Sequence, residues 1–324
     1  MIAEYQMLRE VSRTFALSIE QLPRGPRDAL TLGYLLLRVS DGIEDHASLP
    51  ASRKIELLGL WERVLAGAAP AEALCAAIGD LDPTNPEIRV ALHAPALLAR
   101  LEALPSEVRA VLRYYTRQTT RGMARWQAHP PIVESEAELD DYMHQVAGIV
   151  GYLITDVFAC YSRAVAARRD EMRPLAREFG LGLQTVNVLR GLPADFARGW
   201  SFVPRSFCTE AGLAGPEALF DPARRDAALA VVERLATKAE RHLARGCDYI
   251  ALLPRREYRL RLMCAWPLLF AARTVALSRG NPEVLRCEAK MTRAEVRGIM
   301  RRSAWRAWSD RWLAVEFRRL SAPV

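Results

Sequence analysis

Asp41 and Asp45 stand four residues apart in the segment Asp41-Gly42-Ile43-Glu44-Asp45, just after the apolar run Tyr34-Leu35-Leu36-Leu37. On a helix, that spacing puts both carboxylates on one face. Counting back along the same stripe by three and then by four gives Arg38 and Tyr34. One line therefore carries a phenol, a guanidinium and two carboxylates. Hard oxygen ligands of this kind suit Mg2+, which usually keeps waters and bridges to substrate phosphates. Arg38 can fork onto phosphate oxygens. A solvated helix end would carry the same acids, so the meaning of the pattern depends on what else the chain presents.

A second polar line runs through Gly182-Leu183-Gln184-Thr185-Val186-Asn187-Val188-Leu189-Arg190-Gly191, a segment otherwise apolar. Gln184 and Asn187 are three apart, and Gly191 and Asp195 continue the line by fours. Polar groups on a buried helix need partners. Either these two side chains bond to each other or to backbone, or they face a ligand. Pro193 predicts that regular helix ends or kinks just before Asp195. A third segment, Tyr142 to Gly151, places two glycines in an apolar helix, each costing about 1 kcal/mol against alanine. They imply close helix approach or room for a ligand. If the two polar stripes face each other, they bound a cavity with metal and diphosphate at its mouth and an apolar body for a hydrocarbon. That arrangement suits ionisation of an allylic diphosphate: cations stabilise the leaving group and aromatic rings stabilise the carbocation. No convincing nucleophilic triad is visible.

The elements that must position these residues are helical. Apolar spacing predicts helices over about 3–20, 27–46, 51–68, 84–103, 106–126, 136–164, 170–192, 223–252, 257–278 and 292–318. Turn signals at Leu22-Pro23-Arg24-Gly25-Pro26, Asp82-Pro83-Thr84-Asn85-Pro86, His129-Pro130-Pro131 and Gly215-Pro216 separate several of them. Alternating strand patterns are missing. The expectation is a single all-α domain over 1–324. The chain has 324 residues, 51% of them hydrophobic, which is ample for a large core. The net charge of +7 comes mostly from scattered arginines without a long basic block, which argues against a nucleic-acid partner. The six cysteines form no Cys-x-x-Cys pair, so neither zinc nor a redox motif is indicated and a cytoplasmic setting fits. The longest apolar run, Leu262 to Ala272, is too short to span a bilayer.

With these residues in view, the chain resembles the squalene/phytoene synthase family, the head-to-head isoprenoid condensing enzymes. Five motifs occur in the family's order. Ser12-Arg13-Thr14-Phe15-Ala16 is similar to its N-terminal Ser-Arg-x-Phe, and Tyr34 through Asp45 to its Tyr-x-x-x-Arg-x-x-Asp-x-x-Glu-Asp helix. Arg121-Gly122-Met123-Ala124 resembles its Gly-Met-Ala turn, Tyr142 to Gly151 its Tyr-x-x-x-Val-Ala-Gly-x-Val-Gly, and Gln184 to Arg190 its Gln-x-x-Asn-x-x-Arg. The resemblance implies an isoprenoid synthase-type helical bundle around a central cavity that binds two prenyl diphosphates. It implies Mg2+ held by Asp41 and Asp45, with Glu44 supporting and Asp195 from the second motif. Arg13, Arg38 and Arg190 would hold diphosphate oxygens, and Ser12, Phe15 and Tyr34 would adjoin the substrate. Tyr142 would accept a proton or stabilise a cation. Val146, Ala147 and Gly148 would shape the pocket, and Gln184 and Asn187 would line it. Use of NADPH is left open, since family members that reduce with it carry no Gly-x-Gly-x-x-Gly fingerprint.

The chain departs from the family at its second acidic motif. Where Asp-x-x-x-Asp is expected it reads Gly191-Leu192-Pro193-Ala194-Asp195, and Trp200 replaces the arginine of the family's Gly-Arg-x-Phe/Tyr-x-Pro. Three readings stay open: head-to-head coupling with a rearranged metal set, ionisation of one prenyl diphosphate followed by cyclisation or quenching, and a non-catalytic binding role. Trp305, Trp308 and Trp312 fall at i, i+3 and i+7 among arginines. On one helix they would form either a core-packing face or a membrane-surface face. Chain length of the substrate and oligomeric state are not encoded in these patterns.

Overall fold

The computed structural model describes residues 1–323, the side chain of Arg13 excepted. The all-α expectation holds: among the described residues the only β feature is an isolated bridge between Ile132 and Ser201. The chain gathers into two compact units, Met1–His129 with Tyr152–Arg169, and Pro130–Gly151 with the residues from Asp170 onward.

The first unit opens with α1 (Ile2–Val11) and α2 (Arg13–Ile19). The expected single helix over 3–20 is cut at Ser12, whose extended backbone and side chain cap α2 by accepting from the Phe15 amide at 3.3 Å. α3 (Arg24–Glu44) and α4 (Ala51–Leu65) follow Pro23 and Pro50. The short α5 (Ala71–Ala77) has too few residues to show periodicity. His93 divides the expected 84–103 helix into α6 (Pro86–Leu92) and α7 (Ala94–Glu102). α8 (Ser106–Gln127) completes the set around α3, which packs on α1, α4, α6, α7 and α8.

In the second unit α9 (Glu136–Met143) runs through a π-helical turn, His144–Gly148, into α10 (Ile149–Tyr161), whose last ten residues belong to the first unit. After α11 (Arg163–Ala166) comes α12 (Arg169–Ala197). Of the two outcomes expected at Pro193, an end or a kink, the structure overturns the end: a proline removes one amide donor, but the helix continues through Asp195 to Ala197. α13 (Arg205–Glu210) and two short 3-10 turns lead to α14 (Arg225–Leu252) and α15 (Tyr258–Ser278). The expected 292–318 helix is two helices, α16 (Arg293–Ser303) and α17 (Asp310–Ser321). α15 packs on α14, α16 and α17 and is the core helix of this unit. By length and composition α15 and the 136–161 stretch could each cross a membrane, contrary to the estimate from the Leu262–Ala272 run; α15 is instead surrounded by its own unit.

The glycines of 142–151 serve close packing. A Cβ on Gly151 would run into the carbonyl of Ala176, and one on Gly180 would lie 2.5 Å from the carbonyl oxygen of Ala147. Backbone therefore meets backbone between the 147–151 stretch and α12. Gly151→Ala is expected to lower unfolding stability by about 1–3 kcal/mol, measured by urea denaturation; an unchanged midpoint would mean this contact is not tight.

Candidate active site

From Thr31 to Glu44 every residue of α3 is buried except Tyr34, Arg38 and Asp41. The apolar faces are consumed by neighbouring helices, so the polar stripe is the only part left open. Asp45 caps the helix just past its end, its amide donating to the Asp41 carbonyl at 2.8 Å, and it is exposed. The stripe read from spacing is thus one continuous surface. Arg38 organises it. Its Nη2 donates to the Tyr34 hydroxyl and its Nη1 lies 3.1 Å from Glu87 Oε1 and 3.5 Å from Asp41 Oδ2. Its guanidinium also sits 5.2 Å from the Tyr34 ring centre. Phe15 packs beside that ring, with centroids 5.8 Å apart.

Glu87 was not foreseen. Asn85 caps the α6 N-terminus by accepting from the Glu87 amide at 2.9 Å, which fixes Glu87 in the first turn. Gly42 lets α6 come close, since a Cβ there would stand 2.9 Å from Glu87 Cβ. The Asn85-Pro86 start signal was legible, but its approach to Arg38 depends on tertiary packing.

The acids crowd one another. Burial raises the Asp41 carboxyl to about 6, with Asp45 and Glu87 adding to the rise and Arg38 opposing it. Burial also pushes Glu44 well above the usual carboxylate range, with Asp45 and Asp41 adding to the effect and Lys54 and a hydrogen bond with Gln127 opposing it. Lys54 Nζ donates to the Glu44 carbonyl at 2.5 Å. Glu44 is therefore buried beneath the stripe, while Asp41, with 31% of its side chain exposed, and Asp45 are open. Among the described residues no group of three or more His, Cys, Asp or Glu side chains is placed to hold a metal ion. Two open carboxylates, with remaining positions left to water and phosphate oxygens, suit the way Mg2+ is commonly held. The mutual repulsion of the acids is what a divalent cation would relieve, so the residues present fit Mg2+.

In the second unit Asn187 Nδ2 donates to Gln184 Oε1 at 3.0 Å, so these two bond to each other. Asn187 and Arg190 are exposed. Together with Gly191, Pro193, Ala194 and Glu288 they line an open groove of about 620 Å3. Arg190 pairs with Glu288, which Lys290 also holds at 3.0 Å. Burial works against the Glu288 charge, but Lys290 and Arg190 outweigh it and hold the carboxyl below its usual range. Asp195 pairs with Arg198 at 2.5 Å. Tyr142, 7% exposed, stacks on Phe202 with centroids 4.3 Å apart, and Phe202 stacks on Trp200 at 5.5 Å. Only about 10 Å3 is left in the cavity beside Trp200. Val146 is half-buried and Gly148 buried within the π-helical turn. Ser12 is a helix cap, and the Arg13 side chain lies outside the described residues.

This site is a carboxylate-and-arginine stripe on a buried helix of an all-helical fold. The comparison with known proteins agrees: residues 8–295 match the squalene/phytoene synthase family, and the chain belongs to it. Botryococcus squalene synthase from Botryococcus braunii is 32% identical over 298 residues, covering 90% of this chain and 60% of that protein. Squalene synthase from Schizosaccharomyces pombe is 26% identical over 296 residues, covering 90% and 62%. The chain spans about three fifths of the length of these relatives. Among solved structures, TcSQS in complex with the ligand BPH1237 superposes with a TM-score of 0.84 at 23% identity, covering 98% of this chain and 90% of that one, a likeness of fold.

A carboxyl whose folded pKa lies above its unfolded value binds its proton more tightly when folded. Its contribution to stability is complete below the unfolded pKa and is lost as pH rises through the folded one. Metal-free protein is therefore expected to lose stability as pH climbs from the normal carboxylate value to about 6. Asp41→Asn should reduce that loss. Mg2+, which favours the ionised acids, should raise the unfolding temperature more above about 6 than below it in the parent protein but not in Asp41→Asn. Thermal melts across pH, with and without Mg2+, test this; equal Mg2+ effects in both proteins would remove Asp41 from the metal site.

Proposed function

We propose that this protein is a Mg2+-dependent prenyltransferase that condenses two prenyl diphosphates, farnesyl or geranylgeranyl, head-to-head to a squalene- or phytoene-type product through a cyclopropyl diphosphate. We read the whole chain, 1–324, as one catalytic domain. The observation that carries the proposal is the open stripe of Tyr34, Arg38, Asp41 and Asp45 on an otherwise buried helix, in a chain of this family. In this reading Asp41 and Asp45 hold Mg2+, which neutralises diphosphate charge. Glu44 and its partners Lys54 and Gln127 brace the helix end. Arg38 exchanges its contacts with Glu87 and Asp41 for phosphate oxygens, and Arg13 and Arg190 act likewise. Ser12 fixes Phe15 beside Tyr34. Tyr142 accepts a proton or stabilises positive charge through its ring, Val146 and Gly148 shape the hydrocarbon pocket, and Gln184 and Asn187 contact substrate beside Arg190. Asp195 is the remaining acid of the second motif.

A second reading, ionisation of one prenyl diphosphate with cyclisation or quenching of the cation, draws on two features. Gly191 supplies no carboxylate, and Tyr142, Phe202 and Trp200 form a ring stack able to stabilise positive charge.

Purified protein is to be incubated with Mg2+ and farnesyl or geranylgeranyl diphosphate, with and without NADPH, and the products identified by mass spectrometry. A C30 or C40 product is expected; a C15 or C20 hydrocarbon or alcohol formed from one substrate would overturn coupling in favour of the second reading. Gly191→Asp is expected to lower the Mg2+ concentration needed for half-maximal rate, and Asp195→Ala to raise it. Unchanged Mg2+ dependence in both would take the second motif out of metal binding.

A further inference from the structure

The segment between α16 and α17 is a tight turn that turns two tryptophans outward. Trp305 is 81% exposed and Trp308 52% exposed, two neighbouring indoles open to solvent. Sequence spacing placed them with Trp312 on one helix face. The structure corrects this: α16 stops at Ser303, Trp305 and Trp308 occupy the turn, and Trp312 is half-buried in α17.

The turn is held firmly from beneath. Arg261, fully buried in α15, donates from Nε to the Ala307 carbonyl at 3.0 Å. Its Nη1 donates to the carbonyls of Ile250 at 2.7 Å and Leu253 at 2.8 Å, and its Nη2 pairs with Asp310. The Tyr258 hydroxyl donates to the carbonyls of Ser303 and Ala304, and the Trp266 indole donates to the Ser303 hydroxyl at 2.8 Å. Trp308 Nε1 donates to the Trp305 carbonyl at 3.2 Å. The buried guanidinium ties this corner, through Nε and Nη2, to the end of α14, through Nη1, which pre-organises an exposed indole pair. Pre-organisation lowers the ordering cost of any contact the pair makes.

The surroundings are cationic. Arg301, Arg306 and Arg311 flank the tryptophans and are exposed. Arg256 and Arg259 are exposed on the adjoining 255–259 segment, which Tyr258 and the Arg255–Asp310 pair at 3.0 Å tie to the turn. Of the nearby acids, Asp310 pairs with Arg261 and Arg255, Glu316 pairs with Arg302 and Arg319, and Glu257 is half-buried among the arginines of the 255–259 segment. Exposed indoles within an arginine collar match a bilayer interface: the rings settle at headgroup depth and the guanidinium groups meet anionic headgroups. The turn also lies past residue 295, where the family match ends.

We propose that the Trp305–Trp308 turn docks the protein on an anionic lipid bilayer surface. The inference stands apart from the catalytic reading. The test is co-sedimentation of full-length protein with phosphatidylcholine vesicles, with and without about one third phosphatidylglycerol, a level that gives a negative surface potential. Binding to the anionic vesicles is expected, with little to neutral ones. Trp305→Ala/Trp308→Ala should weaken it by about tenfold or more, and Arg301→Glu/Arg306→Glu should remove the preference for anionic lipid. Both pairs are surface residues, and unchanged thermal melts would check that the fold persists. Absence of vesicle binding, or equal binding by the tryptophan variant, overturns the proposal. So does concentration-dependent self-association without lipid that the tryptophan variant abolishes, which would assign the patch to a second copy of the chain.

Discussion

The first unit is organised around the cost of placing carboxylates together at the end of a buried helix. α3 is enclosed by neighbouring helices of its unit, and that enclosure works against the charged forms of Asp41 and Glu44. Charges removed from water are tolerable only when paired or hydrogen-bonded. Lys54 and Gln127 serve Glu44, and Arg38 serves Asp41. Glu87 shares Arg38 and adds to the repulsion. The helix end is therefore left short of positive charge, which is the condition that draws a divalent cation. Packing supplies the site's electrostatics, and the apolar residues of α3 are as necessary to it as the acids.

The second unit meets a different demand, that of bringing backbones together. Gly151 and Gly180 allow the 147–151 stretch to lie against α12. The π-helical turn at His144–Gly148 falls at the same place. Such a turn inserts a residue into the helical register and re-aims the side chains on either side. Tyr142 lies just before it and stacks on Phe202, which in turn stacks on Trp200. Gly199, with φ of 81°, makes the corner that brings Trp200 back from the end of α12. A proton acceptor or a cation-facing ring at Tyr142 would be held from one side by this stack.

The sequence carried the helices whose apolar stripe is long: α3, α8, α14 and α15 appear where spacing put them, and α12 does so at its start but runs on to Ala197. Short elements such as α5 and α13 were invisible because one or two turns do not establish a period. Ser12 and His93 break helices through capping geometry, which a spacing count ignores. The stripe of Tyr34, Arg38, Asp41 and Asp45 was readable because all four lie on one helix. Glu87, Lys54 and Gln127 were not, since they reach the helix end from α6, α4 and α8. For Gln184 and Asn187 the sequence allowed either mutual bonding or a ligand. The structure shows them bonded to each other.

At the second motif a glycine and an aspartate one helical turn apart share the same space. With glycine at 191 there is no Cβ, and the Asp195 carboxylate lies back along α12 until its Oδ2 is 2.7 Å from where that Cβ would stand. Arg198 secures it there. The continuous helix through Pro193 is what permits this, because it keeps 191 and 195 one turn apart on the same face. An acid at position 191 would thus have to displace Asp195 outward, and the pair would repel unless a cation lay between them. In the structure the one carboxylate of this turn, Asp195, is paired with Arg198. The exposed side of that turn is open, and Arg190 holds Glu288 across the groove. The positive charge of Arg190 is balanced by Glu288, a carboxylate from a distant part of the unit rather than from its own helix.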